Sequence, residues 1–509
     1  MKIFKIIKLN FIFLTIILLV TPFIYDTNLF LVYELPKLLF FKIVVELWII
    51  YLLIFDKGFL NAGWTFIRNN YVYILLVLAF LIIEYFNSGN RIAFIQGTYY
   101  KNFGLFTILH IIAFSVLVRK TIKEYGEEFI NKISVLFGFG VILMFLFTIY
   151  QSFLTQILSI TEGRWVGTFG QPNFLAAFIL FTLPFLVENK DNMKSTKHKI
   201  FYCSSIIFSL IIIYFSQSRV VLVMGLLYLL YKLISYLKIT GLFRFRSLVF
   251  IFLSSFMFLF LLINSRIVKV GLEEEFRFTI WNASFQIIKE YPITGVGLDN
   301  IVYYLPEALN KVGVDGYTLV DRSHNEIIDW FIYIGVPGTF FLIYTIYRYV
   351  RRFNFEFYDS ASKIYKAVII SLLFWLCYSM VNNNGIWNYI WIAFLLGIIG
   401  AFNCKDRSIE IENSKIKKFK IMTVLIFVIL LMQLLIDNGK QYLADKNFKN
   451  YINTENFIYL NRSYELRSTE EIYWQYLIKQ KKFVENKNIQ DQNKLYPDTK
   501  SEIDKVYLD

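Results

Sequence analysis

Cysteine and histidine, the residues that most often hold metals or carry redox chemistry, are rare in this chain. It has three of each among 509 residues. Cys203, Cys377 and Cys404 stand in or beside hydrophobic runs, without the paired spacing of a zinc site or the even number of a disulfide framework. We expect small, buried apolar side chains at these positions and no metal site.

Charge and proline are scarce too, whereas hydrophobic residues come in long blocks. Charged residues make up 18% of the chain and hydrophobic residues 57%, with only eight prolines. A soluble protein has about 25% charged and roughly 45–50% apolar residues. The composition therefore predicts an all-α, polytopic integral membrane protein.

Several hydrophobic runs approach the roughly 17–25 residues that a helix needs to cross the hydrocarbon layer. We expect twelve to thirteen transmembrane helices from the segments 9–25, 36–55, 70–86, 104–118, 130–151, 173–188, 200–215, 220–237, 248–264, 328–349, 366–382, 384–403 and 419–436. The first run lacks a convincing small-residue cleavage site, so we interpret it as a retained helix. Segment 56–69 is too short and mixed to span, and it predicts a surface helix or connector.

Lysine and arginine are distributed unevenly between the loops. The loops on the side of the N-terminus carry most of them, whereas the short loops on the opposite side carry Arg91, Lys101, Arg164 and Arg219. Because cytoplasmic loops are rich in these residues, we expect the N-terminus inside, and the loop 265–327 and the C-terminus outside. This asymmetry accounts for the net charge of +14 without nucleic acid as a partner.

The end of the last hydrophobic run divides the chain into two predicted parts. Residues 1–437 form the membrane domain, and residues 438–509 form an external tail rich in Lys, Glu, Asn and Tyr. Two helices are expected in the tail, at about 439–461 and 468–486, followed by disorder. A solvated tail packed against the outer face is favoured over a helical-repeat unit.

Four arginines are predicted on the external side. Arg164 precedes a Trp, Arg219 ends a tight Ser-Gln-Ser-Arg turn, and Arg277 and Arg322 lie in the large external loop. The planar fork of arginine matches phosphate oxygens, so convergence of these side chains favours an anionic lipid headgroup, most simply a diphosphate. The alternatives are snorkelling to lipid phosphates, salt bridges to neighbouring glutamates, and exposure of Arg322 to water.

His324 is the histidine best placed for chemistry. It directly precedes Asn325 and a predicted membrane helix, whereas His110 lies within a helix and His198 in a Lys-rich cytoplasmic loop. With an unperturbed pKa near 6.5, a histidine can accept a proton at neutral pH. The alternative is a polar surface residue, in which case the candidate bases are Glu273, Glu274, Glu275, Asp321 and Glu326.

Cofactor-binding motifs are missing from the sequence. Gly295-Val-Gly297 lacks the third glycine and the strand–turn–helix setting of a nucleotide site, and it predicts a tight turn after Pro292. The predicted external carboxylates show no Asp-x-Asp pair. We expect no cofactor, and arginines in the charge-neutralising role that Mg²⁺ plays elsewhere.

Four segments, taken in order, carry a resemblance to a known family. They are Gly163-Arg-Trp-Val-Gly-Thr-Phe-Gly-Gln-Pro-Asn-Phe-Leu-Ala176, Ser216-Gln-Ser-Arg219, Arg277-Phe-Thr-Ile-Trp281 with Tyr291-Pro-Ile-Thr-Gly-Val-Gly297, and Ser323-His-Asn325 with Gly335-Val-Pro-Gly338. Together they resemble the O-antigen ligase and polymerase family of bacterial envelope glycan enzymes. The chain departs from that family in two places, since Asp329 and Trp330 lie where a glutamate is common, and Lys101 stands where an arginine would be expected.

The resemblance implies an inverting, metal-independent glycosyltransferase in the bacterial cytoplasmic membrane. Its donor would be a glycan on a polyprenyl (undecaprenyl) diphosphate within the membrane lipids, and its acceptor a hydroxyl of a growing glycan, a lipid core or a protein on the outer face. The residues implied as catalytic are His324, Arg219 and Arg277, and those implied as substrate-binding are Arg164, Asn173, Asn325 and Arg322.

A lipid-linked-sugar flippase or transporter is the alternative from another class. Transporters place ionisable groups near the middle of the membrane. Lys42, Glu46 and Glu84 do fall within or near predicted helices, but the other notable charges cluster on one face. That clustering favours the enzyme.

Overall fold

The described part of the chain folds into α-helices joined by turns and loops. A computed structural model describes residues 2–158, 163–189, 195–236, 275–314, 320–350, 363–402, 413–468, 470, 472–473 and 476–477. These described residues contain helices and no β-strand. The all-α prediction is therefore confirmed.

The helices follow one another in a simple order. They are α1 (Lys2–Thr15), extended by a π-helical turn (Ile16–Val20) and a 3-10 turn (Thr21–Phe23), α2 (Glu34–Phe55), α3 (Lys57–Asn87), α4 (Arg91–Gln96), α5 (Leu105–Tyr125), α6 (Glu127–Leu158), α7 (Pro172–Asn189), α8 (Thr196–Ser216), α9 (Arg219–Tyr236), α10 (Glu275–Glu290), α11 (Ile301–Lys311), α12 (Glu326–Val350), α13 (Lys363–Ser379), α14 (Ile386–Phe402), α15 (Asn413–Thr454) and α16 (Phe457–Leu466).

Many of these helices match the predicted membrane-spanning segments. Within the described residues, seven stretches are long and apolar enough to cross a membrane: Glu34–Phe55, Leu105–Tyr125, Asn131–Phe153, Pro172–Asn189, Thr196–Ser216, Glu326–Tyr349 and Met422–Thr454. Shorter apolar helices lie at Leu9–Phe23, Tyr71–Asn87, Tyr365–Ser379 and Ile386–Ala401. The predicted segment 220–237 coincides with α9, and 248–264 lies outside the described residues. The fold is that of a multi-pass membrane protein, and its orientation stays a prediction.

Helix α7 lies at the centre of the bundle. Its membrane-spanning stretch is 83% buried, which agrees with a sequence that is apolar on every face. Beside it, Ser371 Oγ on α13 donates a hydrogen bond to Phe181 O at 2.8 Å, and Trp391 Nε1 on α14 donates to Ser371 Oγ at 2.8 Å. The side chains of Ser371 and Trp391 therefore have hydrogen-bond partners within this core. Cys377 is buried and Cys203 is half-buried, and Cys404 lies outside the described residues.

Helix α12 is interrupted at Gly335, where φ is +67° and ψ is −179°. The loop 291–297 packs against this break, and its Val296 N donates to Ile332 O at 2.8 Å. A Cβ at position 335 would lie 2.2 Å from Ile293 O, so both the close approach and the backbone conformation require glycine. The tight turn predicted after Pro292 is thus the piece that locks the large loop onto α12.

The helix boundaries differ from the prediction in two places. Helix α15 has 42 residues and runs without a break from the last hydrophobic run into the predicted tail. The helix expected at about 439–461 is therefore the second half of α15, which ends at Thr454. Helix α3 has 31 residues and includes 57–69, nearly all of the segment predicted as a surface helix or connector. Both stretches lack proline, and their Lys, Asn and Gln residues do not end a helix on their own. In both stretches the hydropathy falls while the helix continues. The predicted helix at 468–486 lies mostly outside the described residues.

The tail packs onto loops at one end of the bundle. Asp445 on α15 accepts hydrogen bonds from Phe30 N (2.7 Å), from Leu31 N (3.1 Å) and from the Tyr99 hydroxyl. Aromatic side chains around Phe448 bury these contacts. The end of α15 is thereby fixed to the loop that joins α4 to α5.

Candidate active site

The histidine loop, residues 320–325, leads directly into α12. His324 has φ +61°, a left-handed backbone conformation that residues other than glycine rarely adopt. Asn325 caps the helix, since its Oδ1 accepts from the backbone N–H of Ile327 (3.0 Å) and of Ile328 (3.3 Å). The helix cap and the left-handed backbone of His324 together fix the direction in which the His324 side chain points from the start of α12. The role of Asn325 seen here is to hold the loop.

Helix α10 brings two further side chains to this place. Arg277 and Trp281 lie four residues apart and therefore on one face of the helix. Trp281 Nε1 donates to Ser323 O at 2.8 Å, and Arg277 Nη1 donates to Val381 O at 3.0 Å in the turn between α13 and α14. These two hydrogen bonds join α10 to the histidine loop and to the turn between α13 and α14, which lie about 40 and 100 residues further along the chain.

Arg322 is buried and fully engaged with the protein. Its Nε and Nη2 donate to Asp321 Oδ2 at 2.9 and 2.7 Å, and its Nη1 donates to Asn384 O at 2.8 Å. Burial alone would raise the pKa of Asp321, but the Arg322 guanidinium outweighs it and holds that pKa below its usual value. The alternative that Arg322 faces water is therefore wrong, because the side chain closes the turn between α13 and α14 against the histidine loop.

The surroundings of His324 keep its imidazole neutral. Burial and the positive charge of Arg277 lower the pKa of His324 to about 4, with a further lowering by Arg322, while Asp321 and Asp329 act in the opposite direction. At neutral pH the ring therefore carries one unprotonated nitrogen that can accept a proton. Arg277, Arg322 and His324 therefore share one site, although Arg277 lies more than forty residues before the other two in the sequence.

The structure adds a buried ion pair that sequence patterns did not assign to the site. Lys101 Nζ lies 3.7 Å from Asp329 Oδ2, and each side chain is only 3% exposed. Lys101 Nζ also donates to the Tyr333 hydroxyl at 2.9 Å. Asp329 Oδ1 accepts from both N (2.9 Å) and Oγ (2.6 Å) of Ser323. The sequence feature that could have pointed to Lys101 is that it is one of the few cations in the short loops predicted on the external side.

The acidic residues considered as alternative bases are committed to other contacts. Glu326 is buried; its Oε1 accepts from Trp330 Nε1 (3.0 Å), and its Oε2 accepts from Asn384 Nδ2 and from the Tyr389 hydroxyl (both 2.9 Å). Asp321 is paired with Arg322. Glu273 and Glu274 lie outside the described residues, and Glu275 begins α10. Among the described candidates, His324 is the best placed to accept a proton.

Arg164 and Arg219 belong to a second group, at the turn between α8 and α9. Arg164 Nε donates to Ser216 O at 3.1 Å and its Nη2 donates to Gln217 O at 3.5 Å, so the guanidinium caps the last carbonyls of α8. Arg219 is exposed at the first residue of α9. Asn173 is half-buried in the first turn of α7. Convergence of all four arginines on one ligand stays a prediction.

The described residues contain no group of three His, Cys, Asp or Glu side chains arranged to hold a metal ion. The charges around His324 come instead from arginine, lysine and carboxylate side chains. Such a site suits proton transfer on an anionic substrate. Metal independence of the reaction stays a prediction.

Fold and site together define a multi-pass, all-α membrane protein with a charged, largely buried site where a broken helix begins. A family model described as O-antigen ligase matches residues 204–343. That match covers the segment from α8 to α12 and confirms the resemblance seen in the sequence.

The matched segment extends from α8 to α12. It contains Arg219, Arg277, Arg322, His324 and Asn325, while Arg164, Asn173 and Lys101 precede it. No curated protein matches the chain. The family supports a membrane glycosyl-transfer function of the O-antigen ligase or polymerase type.

Proposed function

We propose that this protein transfers a glycan from an undecaprenyl-diphosphate carrier to an acceptor hydroxyl at the outer face of the cytoplasmic membrane, with His324 as general base. The observation that carries the proposal is a half-buried histidine, neutral at physiological pH, beside two arginines where α12 begins. A base must be unprotonated to act, and a diphosphate leaving group needs cations.

The proton transfer follows from the charges that face His324. The acceptor hydroxyl loses its proton to the unprotonated ring nitrogen as its oxygen attacks the anomeric carbon. The imidazolium formed in that step is then stabilised by Asp321 and Asp329, the two carboxylates that raise the pKa of His324. The site thus keeps the base neutral before the reaction and supports its charge during it.

The arginines act on the other product. The bond between the anomeric carbon and the diphosphate oxygen breaks, and its electron pair leaves with the undecaprenyl diphosphate. Arg277, which is only half-buried, holds the diphosphate and stabilises this charge. Arg219 is the second proposed contact to the diphosphate, and Arg164 assists at the α8–α9 turn. Arg322 shapes the site through Asp321 and Asn384. Attack from the face opposite the diphosphate inverts the anomeric centre.

The acceptor presents the same chemical group in each version of this reaction. A growing glycan, a lipid core and a protein side chain all offer a hydroxyl to His324. Ligase, polymerase and protein oligosaccharyltransferase activities therefore need the same base and the same clamp. They differ in the surface that binds the acceptor, which lies beyond the groups described above.

The test compares two histidine variants in liposomes that contain the purified protein and a lipid-linked glycan donor. His324→Ala is expected to lower transfer by about 10²–10⁴-fold, the usual contribution of a general base, and to leave donor binding nearly intact. His198→Ala is the matched control, because His198 is exposed in the first turn of α8, and it should transfer at the parental rate. Parental transfer by His324→Ala would show that the histidine is structural.

A further inference from the structure

The loop between α4 and α5, residues 97–104 and here called the lysine loop, is held rigidly. Asp299 is the anchor, since its Oδ2 accepts from Thr98 N (2.7 Å), Thr98 Oγ1 (3.0 Å) and Phe103 N (3.1 Å). Burial raises the pKa of Asp299, although the charge of Lys101 and these three hydrogen bonds oppose that rise. A buried carboxyl group that accepts three hydrogen bonds from one loop leaves that loop few alternative conformations.

One side of the lysine loop faces the first turns of α12 and the first turn of α14. Lys101 reaches Asp329 (3.7 Å) and the Tyr333 hydroxyl (2.9 Å), and its Nζ lies 5.0 Å from the centre of the Tyr333 ring. Phe103, two residues on, stacks on Tyr389 with a centroid distance of 4.0 Å. The Tyr333 ring and the stacked rings of Phe103 and Tyr389 exclude water from the ion pair between Lys101 and Asp329. The exclusion of water strengthens the attraction between the two charges.

Asp329 passes this contact on to the histidine loop. Its second oxygen, Oδ1, accepts from the backbone N and the hydroxyl of Ser323, the residue before His324. His324 itself holds a left-handed backbone conformation, which persists only where the surroundings determine it. The carboxylate of Asp329 is therefore the direct support of the strained residue, and Lys101 is the cation that neutralises this carboxylate.

The other side of the lysine loop faces the end of α15. Tyr99 donates to Asp445, and Gln441 Nε2 donates to Asn102 Oδ1. Tyr99 and Asn102 flank Lys101 closely in the sequence, so the lysine is held between two packed surfaces. The C-terminal helix thereby reaches the histidine loop through one short segment.

We propose that Lys101 is a positioning residue for His324, acting through Asp329 and Ser323, and that the lysine loop transmits the packing of α15 to the active site. The proposal rests on the function proposed above for its kinetic consequence, because it concerns the geometry of the same base. Its structural content, the coupling of Lys101 to His324, can be measured without any substrate.

The chemistry of the ion pair predicts what a neutral side chain at position 101 would do. Lys101→Met keeps most of the volume but leaves Asp329 without its cation. An uncompensated carboxylate near the imidazole favours the imidazolium, so the pKa of His324 should rise from about 4 toward its usual value near 6.5. The other groups that face the ring, Arg277, Asp321 and Arg322, are unchanged by the substitution.

The direct experiment is an NMR titration of isotope-labelled histidine in the full-length protein in nanodiscs. The chain has only three histidines, and His324→Ala identifies the signal of His324. We expect Lys101→Met to raise the pKa of His324 by at least one unit, Lys101→Arg to leave it near the parental value, and Lys311→Met to have no effect. Lys311 is the matched control because it is an exposed lysine at the end of α11 that forms ion pairs with Glu290 of α10 and Glu307 of α11.

A kinetic arm separates this inference from the proposed function. Misplacing a base by about 1 Å can cost about 10²-fold in rate, so Lys101→Met should lower kcat by about that factor with KM for the donor within about twofold. Rescue by Lys101→Arg supports positioning by charge. An unchanged His324 titration in Lys101→Met overturns the inference, even if the parental protein transfers glycan. A shifted titration in a protein without transfer activity keeps the coupling and rejects the proposed function.

Discussion

The two arginine groups of this protein use the same side chain in different surroundings. At the turn between α8 and α9, Arg164 donates to the last carbonyls of a helix, and Arg219 is exposed. Around the histidine loop, Arg322 is buried against Asp321, and Arg277 is half-buried near a neutral histidine. The second setting has the lower local dielectric, so each charge there has a stronger effect on its neighbours. Charge near a proton acceptor, rather than the number of arginines, marks the site.

The largest expected effect is a loss of stability and of transfer in the variant Arg322→Met, which tests the comparison between the two arginine groups. The variant leaves Asp321 without its cation. An exposed ion pair contributes about 0–1 kcal/mol to stability, whereas removing one partner of a buried ion pair costs about 3–5 kcal/mol. Because the Asp321 side chain is 29% exposed, we expect a loss of about 2–3 kcal/mol in the free energy of unfolding, together with loss of transfer. Thermal unfolding in detergent measures it.

A matched double variant serves as the control for that prediction. Arg322→Met with Asp321→Asn removes both charges and should recover part of the stability, because no carboxylate is then left unpaired. If the double variant is as unstable as the single one, the ion pair is not the source of the effect. The bond from Arg322 to Asn384 O would then account for the loss.

A smaller effect is expected from lysine at the two proposed diphosphate contacts. Arg277→Lys keeps the charge and loses the fork, and a hydrogen bond to a charged group contributes about 1.5–3 kcal/mol, so kcat/KM should fall by roughly 10–100-fold. Arg219→Lys should lose less, because Arg219 is exposed and water screens its charge. Steady-state transfer assays on both variants, after equal accumulation is verified, provide the comparison. Equal losses would contradict the distinction between the two groups.

The helices could be predicted from the sequence because hydrophobic length is a local property. Each run from 36–55 to 419–436 within the described residues corresponds to a helix, since a backbone in lipid must satisfy its own hydrogen bonds. The ends were harder to predict, as α3 and α15 show, because a change in polarity does not stop a helix. The break at Gly335 depends on a loop that arrives from another part of the chain.

The site was predictable only in part, for a related reason. The segments around Arg277 and His324 could be predicted as parts of the site from their residue types and from their position before a predicted membrane helix. The pairing of Lys101 with Asp329 crosses more than two hundred residues, and no local spacing records it. Burial of Arg322 was missed because a charged residue in a polar segment suggests exposure. Long-range contacts supply the part of the chemistry that patterns cannot.

The pH dependence of transfer tests most directly the claim that His324 is a base kept neutral by burial and by Arg277. Burial lowers the pKa of the folded protein's His324 to about 4, so the reactive, neutral form is present above that pH and is lost as the pH falls through it. The rate of transfer in liposomes, saturated with donor, should therefore be flat from pH 8 to about pH 5 and fall with a midpoint near pH 4, and it should recover when acid-treated protein is returned to pH 7. A midpoint near 6.5, the usual value for an exposed histidine, would contradict the account.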